Sequence, residues 1–209
     1  MTFEDVAAHF TSKDGTYQFA RWGRPIAPVI FGVEEESLGV LKGAIEAIVG
    51  IAGHKMTELD PELGANAMVF FIRDWDELSA TPKLDELIPN LNAVVDRLKG
   101  AGATQYRNFR FDEAGAIQAC FVFLRADDSL METPLDELAL GQAVRMMLPW
   151  SEQAFADASP LARLPDSGKA VLRPEIAALI AAAYDPLLPV AANDASHALR
   201  LAARMEAAL

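Results

Sequence analysis

The sequence predicts an α+β fold: a four- or five-stranded mixed sheet with packed helices, followed by a helical C-terminal third. Three observations predict it. Short apolar or alternating runs, the signature of strands, are interspersed with helical spacing up to about residue 130. From Thr133 onward helical spacing takes over, and strands first with helices last is the α+β order. Hydrophobic residues make up 52% and charged residues 23% of 209 residues, which supports a packed core and excludes wholesale disorder. The length fits one domain over residues 1–209, with residues 1–130 mainly sheet plus two helices and residues 131–209 the helical part.

In chain order, Phe3–Phe10 reads as one or two amphipathic helical turns. Arg24–Phe31 reads as a strand that lies at an edge or begins late, near Pro28, because its prolines cannot donate ladder hydrogen bonds. Glu34–Gly53 carries Leu38, Leu41, Ile45, Ile48 and Ile51 on one helical face, with carboxylates in the first turn and Gly53 as a C-terminal cap. Asn66–Arg73 is a buried strand. Thr81-Pro82 opens a helix running to Gly100, which Pro89 kinks or splits. Tyr106–Phe111 and Ala116–Arg125 flank a Gly-containing turn and form a β-hairpin. Thr133-Pro134-Leu135-Asp136 looks like a capping box that opens a helix to about Leu148. Ser159–Gly168 is a loop, and helices follow at Pro174–Tyr184 and Asn193–Ala208.

The formal charge of −12 argues against nucleic acid and anionic lipid as partners, since both are held by clustered Lys and Arg. No apolar run approaches the ~18 residues of a membrane span. The N-terminus lacks the basic start and apolar stretch of a signal peptide, so the cytoplasm is the expected compartment; a periplasmic protein whose leader had been removed would look the same. Cys120 is the sole cysteine, which excludes an intramolecular disulfide and a Cys-based zinc cluster.

Gly100-Ala101-Gly102 follows a helix and precedes a strand, the wrong order for a dinucleotide fingerprint. Neither a P-loop nor a nucleophile elbow is present. His9, His54 and His197 lie far apart, so the two imidazoles one helical turn apart of a His-Glu-x-x-His motif are missing. His54 reads as a helix-end residue that neutralises the dipole, and His9 and His197 as surface or packing residues. Cys120 reads as a small buried hydrophobe. Asp127-Asp128 and Asp136-Glu137 are carboxylate pairs that can share a proton or hold a hard cation, though turn and helix-start roles explain them more simply. Trp22, Trp75 and Trp150 fit either core positions or a recognition surface, the first flanked by Arg21 and Arg24.

Three stretches, spread over most of the chain, carry a resemblance: Arg21-Trp22-Gly23-Arg24-Pro25-Ile26, the strand–loop–helix unit Ile117–Leu148, and Ala183-Tyr184-Asp185-Pro186. Together they resemble a bacterial family similar to zincin-type metallopeptidases, in which an edge strand precedes the helix bearing the metal motif. The resemblance implies a zincin-like fold. It places Asp136-Glu137-Leu138-Ala139-Leu140 in the slot of His-Glu-x-x-His, where Glu137 matches the general base while Asp136 and Leu140 replace the imidazoles. A shifted register brings Gly141-Gln142 near the second ligand position. In either register the motif is degenerate. No metal, cofactor or catalytic residue is expected, because nothing remains to lower the pKa of a bound water.

The leading expectation is therefore a non-catalytic zincin-like domain that acts by binding or assembly, with a protein or peptide partner. One alternative is a hydrolase, carboxylate- or metal-dependent, with Asp127, Asp128, Asp136 and Glu137 meeting in a pocket. The other is a structural homo-oligomer. The helix Pro134–Leu148 carries Leu135, Leu138, Val144, Met146, Met147 and Leu148, more apolar surface than one buried stripe requires.

Overall fold

The computed structural model describes residues 1–207, so the predicted helix end at Ala208 lies outside the described residues. Helix α1 (Phe3–Ala8) is followed by β1 (Phe19–Ala20), β2 (Pro28–Phe31), α2 (Glu35–Ile51) and β3 (Ala67–Ile72). Next come α3 (Asp76–Ala80), α4 (Leu84–Leu87), α5 (Leu91–Gly100), β4 (Gln105–Phe111) and β5 (Ile117–Arg125). The remainder is α6 (Asp128–Glu132), α7 (Leu135–Met147), β6 (Leu161–Arg163), β7 (Ala170–Leu172), α8 (Pro174–Ala183), β8 (Ala191–Ala192) and α9 (His197–Ala207). No helix among the described residues is long and apolar enough to cross a membrane.

The main sheet has four strands in the order β2-β3-β5-β4; β2, β3 and β5 run parallel and β4 runs antiparallel to β5. It is the mixed four-stranded sheet of an α+β fold. Strand β2 begins at Pro28 and lies at the edge, where a missing N–H costs no ladder bond. Strand β5 is buried on both faces, which is why its sequence is a continuous apolar run. Cys120, Val122 and Leu124 join the larger core beneath α2, α7 and α8, whereas Ala119, Phe121 and Phe123 join a second core with Trp75, just before α3, Leu78 of α3, and Leu91 and Val95 of α5. Each large side chain buried this way contributes about 1.5–3 kcal/mol, so β5 is the axis of both cores.

Helix α2 ends in a Schellman motif at Gly53, whose φ of +61° only glycine adopts at little cost: Gly53 N–H donates to Gly50 O and His54 N–H to Val49 O. Pro89 splits the Thr81–Gly100 segment into α4 and α5. Strands β1 and β8 pair antiparallel and α1 packs on α9, so the two ends of the chain close over the larger core.

Several expectations need correction. Thr81 opens no helix; its Oγ1 donates back to Glu77 O and closes α3, an element the sequence reading missed. Thr133 likewise donates to Ser129 O at the end of α6, so α7 starts without a side-chain cap and the capping box does not form. The Ser159–Gly168 loop contains β6, which pairs with β7. Strand β5, which precedes α7, is interior, and the edge belongs to β4. Most of the apolar surface of Pro134–Leu148 is covered inside the chain: Val144, Met146, Met147 and Leu148 are fully buried and Leu135 packs on the larger core, while Leu138 is partly open and lines a small cleft. That leaves Leu138 as the one residue of the set outside the two cores.

Candidate functional site

The C-terminal end of α7 is held by three side-chain donors. A helix leaves its last four carbonyls without intrahelical partners. Here Trp150 Nε1–H donates to Val144 O at 3.0 Å, Trp22 Nε1–H to Met146 O at 2.9 Å, and the Tyr184 hydroxyl to Met147 O at 2.8 Å. The stretches around Trp22 and Tyr184 thus meet at the end of the third, Ile117–Leu148. Trp75 donates its Nε1–H to Ala103 O at 2.9 Å. All three tryptophans therefore have satisfied indoles, and only Trp150 lies partly open, against a cleft.

The residues in the metal-motif slot do not act together. Asp136 is exposed, Leu140 packs against the larger core, and Glu137 pairs with Arg163. The row of α7 that faces the β4 edge is instead Glu137, Gly141, Gln142 and Arg145, which line a small cleft of about 260 Å³. Asp127 caps α6 by accepting Leu130 N–H and also pairs with Arg125, while Asp128 is exposed. The four carboxylates do not converge: Glu137 alone among them lines this cleft. No three His, Cys, Asp or Glu side chains among the described residues group closely enough to hold a metal ion.

Cys120 is fully buried in β5, and burial pushes its thiol up to about 12 against the opposing pull of the Arg107 charge, so it stays a protonated packing residue. His9 places Nδ1 2.6 Å from Asp5 O and packs edge-on to Trp150 and Phe155. His54 lies 2.9 Å through Nε2 from Arg24 O. Burial lowers its pKa, opposed by that bond and reinforced by Arg21 and Lys55, so it supplies a hydrogen bond to the Arg24 carbonyl where a dipole-neutralising charge was expected. His197 is buried against the Phe19 ring with both ring nitrogens unpartnered.

Sequence reasoning missed the larger cleft, about 680 Å³, that adjoins the small one and shares Gln105 and Arg145 with it. Its floor is the inward phase of β4, Gln105, Arg107 and Phe109. Arg145, in the last turn of α7, forms one side, Trp150 and Phe155 a second, and the 10–18 segment a third. Phe10 stacks on Trp150 with centroids 5.6 Å apart, and the Arg145 guanidinium lies 5.0 Å above the Phe155 ring.

Neither Arg107 nor Arg145 has a carboxylate partner among the described residues, although the chain carries 30 acidic against 18 basic side chains. Arg107 donates through Nη2 to the neutral oxygens of Gln142 and Gln105, while its Nε is buried with no acceptor. Burial lowers its pKa to about 10, with the nearby Arg145 charge pushing the same way, and burial lowers Arg145 too. Both stay charged at neutral pH. Two signals in the sequence pointed here: Arg107 shares its strand phase with Phe109, and Arg145 has no acid three or four residues away to pair with.

Comparison with protein-family models, curated proteins and solved structures finds no match for this chain.

Proposed function

We propose that this protein is a non-catalytic domain that acts by binding, and that its site is the cleft between β4, the C-terminal end of α7 and Trp150. The observation that carries the reading is a contrast. The carboxylates nearest to a hydrolytic motif are exposed, capping or paired with arginine, whereas the cleft beside them holds two guanidinium groups left without counter-ions next to aromatic walls. Unpaired charge in a cleft costs stability, and a fold keeps it where a ligand uses it. The cleft volume falls within the roughly 300–1,000 Å³ usual for small-molecule sites.

A zincin-like scaffold emptied of its chemistry belongs to the same proposal. It is supported by a helix lying beside the antiparallel edge strand with Glu137 as its one carboxylate facing that edge. The test is thermal unfolding of the full chain against a panel of small anionic and neutral aromatic compounds, run beside a general peptidase assay. Binding to the native state raises Tm by mass action. The reading predicts compounds that raise Tm in the wild type and fail to do so in Trp150→Ala, with no peptide hydrolysis. Hydrolysis that disappears in Glu137→Gln would overturn it in favour of an enzyme.

A further inference from the structure

We infer that the large cleft is a binding site for a small aromatic dianion, its phosphate or paired carboxylates held between Arg107 and Arg145. This rests on the binding-domain reading and names the ligand class. Three features of the cleft carry it.

The first is charge. Two guanidinium groups face one cleft with no carboxylate on either. A monoanion would leave one of the two charges uncompensated, whereas a dianion neutralises both. Guanidinium is the side chain whose fork matches carboxylate and phosphate oxygens. The carboxylate of the cleft, Glu152, is exposed and accepts Lys13 N–H at 2.7 Å, so water screens it from the arginines.

The second is preorganisation. Gln105 and Gln142 hold Arg107 by Nη2, and Gln142 Nε2 donates to Gln105 Oε1 at 3.3 Å. These amides fix the guanidinium without neutralising it and leave the buried Nε donor open. The guanidinium edge that lines the cleft therefore keeps its charge for a bound oxyanion. The third is the aromatic wall. Trp150 and Phe155 lie 4.9 Å apart by ring centroid and line the cleft, an apolar wall for a ring attached to the anion. The cleft volume of about 680 Å³ suits a molecule of that size.

The experiment is isothermal titration calorimetry of the full chain with phenyl phosphate, phthalate, benzoate and benzyl alcohol. The expected order is dianions at least tenfold tighter than benzoate, and benzoate tighter than benzyl alcohol. Whichever of phenyl phosphate and phthalate binds tighter identifies the source of the oxyanion. In Arg145→Gln, checked for an unchanged unfolding transition, the ratio of dianion to benzyl alcohol affinity falls at least tenfold. Arg145→Lys, which keeps the charge, retains most of the preference. Benzyl alcohol binding that Trp150→Ala abolishes, with no preference for dianions, would overturn the anion assignment and leave the binding cleft standing. No binding by any probe would overturn both.

Discussion

Replacing Tyr184 by Phe removes a single oxygen and tests how the end of α7 is held. The ring stays where it is, 5.1 Å from His54 and beneath the Arg21 guanidinium. What disappears is the donor to Met147 O at 2.8 Å and the acceptor for Trp22 N–H at 3.4 Å. The first is a short bond in a buried place, and its loss strands a helix-terminal carbonyl. That costs about 1–3 kcal/mol, and the longer second bond adds little. A net loss of about 2 kcal/mol is a sizeable part of the ~5–15 kcal/mol that typically holds a domain together. For a chain of this length it lowers Tm by about 4–8 °C. Urea unfolding followed by circular dichroism measures it as a lower midpoint at unchanged slope. A loss under about 0.5 kcal/mol would mean that Met147 O finds another donor and that Tyr184 anchors nothing.

Three further outcomes are expected. Asn66→Ala removes a buried hub that accepts Ala27 N–H at 2.8 Å and donates to Pro25 O and to the buried Asp60, so stability falls by about 3 kcal/mol in urea unfolding. His197 has its pKa lowered from 6.5, by burial first and Arg200 second, so the native state binds fewer protons than the unfolded chain. Stability is then full above about pH 6.5 and declines as the pH falls below it. His197→Leu should raise stability at pH 7 by about 1 kcal/mol and reduce that decline to the part due to His54, whose pKa burial also lowers, and pH-dependent melting curves follow both. Cys120 should resist a thiol reagent in the native protein and react at once in denaturant, as a colorimetric assay reads; fast native labelling would place it outside the sealed core.

Much of the fold was legible because its signals are local. The late start of β2 follows from proline, the split between α4 and α5 from Pro89, and the hairpin from alternation around Gly115. Two of the misreadings share one cause. Thr81 and Thr133 each precede a proline and look like N-caps, yet both hydroxyls turn back to close the preceding helix, and one residue serves either role with the same chemistry. The order of strands was not legible, because pairing β3 with β5 depends on contacts distant in sequence. The site was legible only as a pair of oddities. Arg107 on an apolar strand phase and Arg145 without an acidic neighbour are each ordinary alone, and only the packing of α7 beside β4 brings them to one cleft.

The indole N–H groups supply internal reporters for binding in that cleft. Trp150 lines it, whereas Trp22 is buried beneath α7 and Trp75 lies in the core on the opposite face of the sheet. In a ¹⁵N-labelled sample titrated with phenyl phosphate, the Trp150 indole cross-peak should shift and saturate while those of Trp22 and Trp75 stay in place. A titration that leaves Trp150 still, or moves Trp75 instead, would put the ligand elsewhere and remove the basis for a binding cleft.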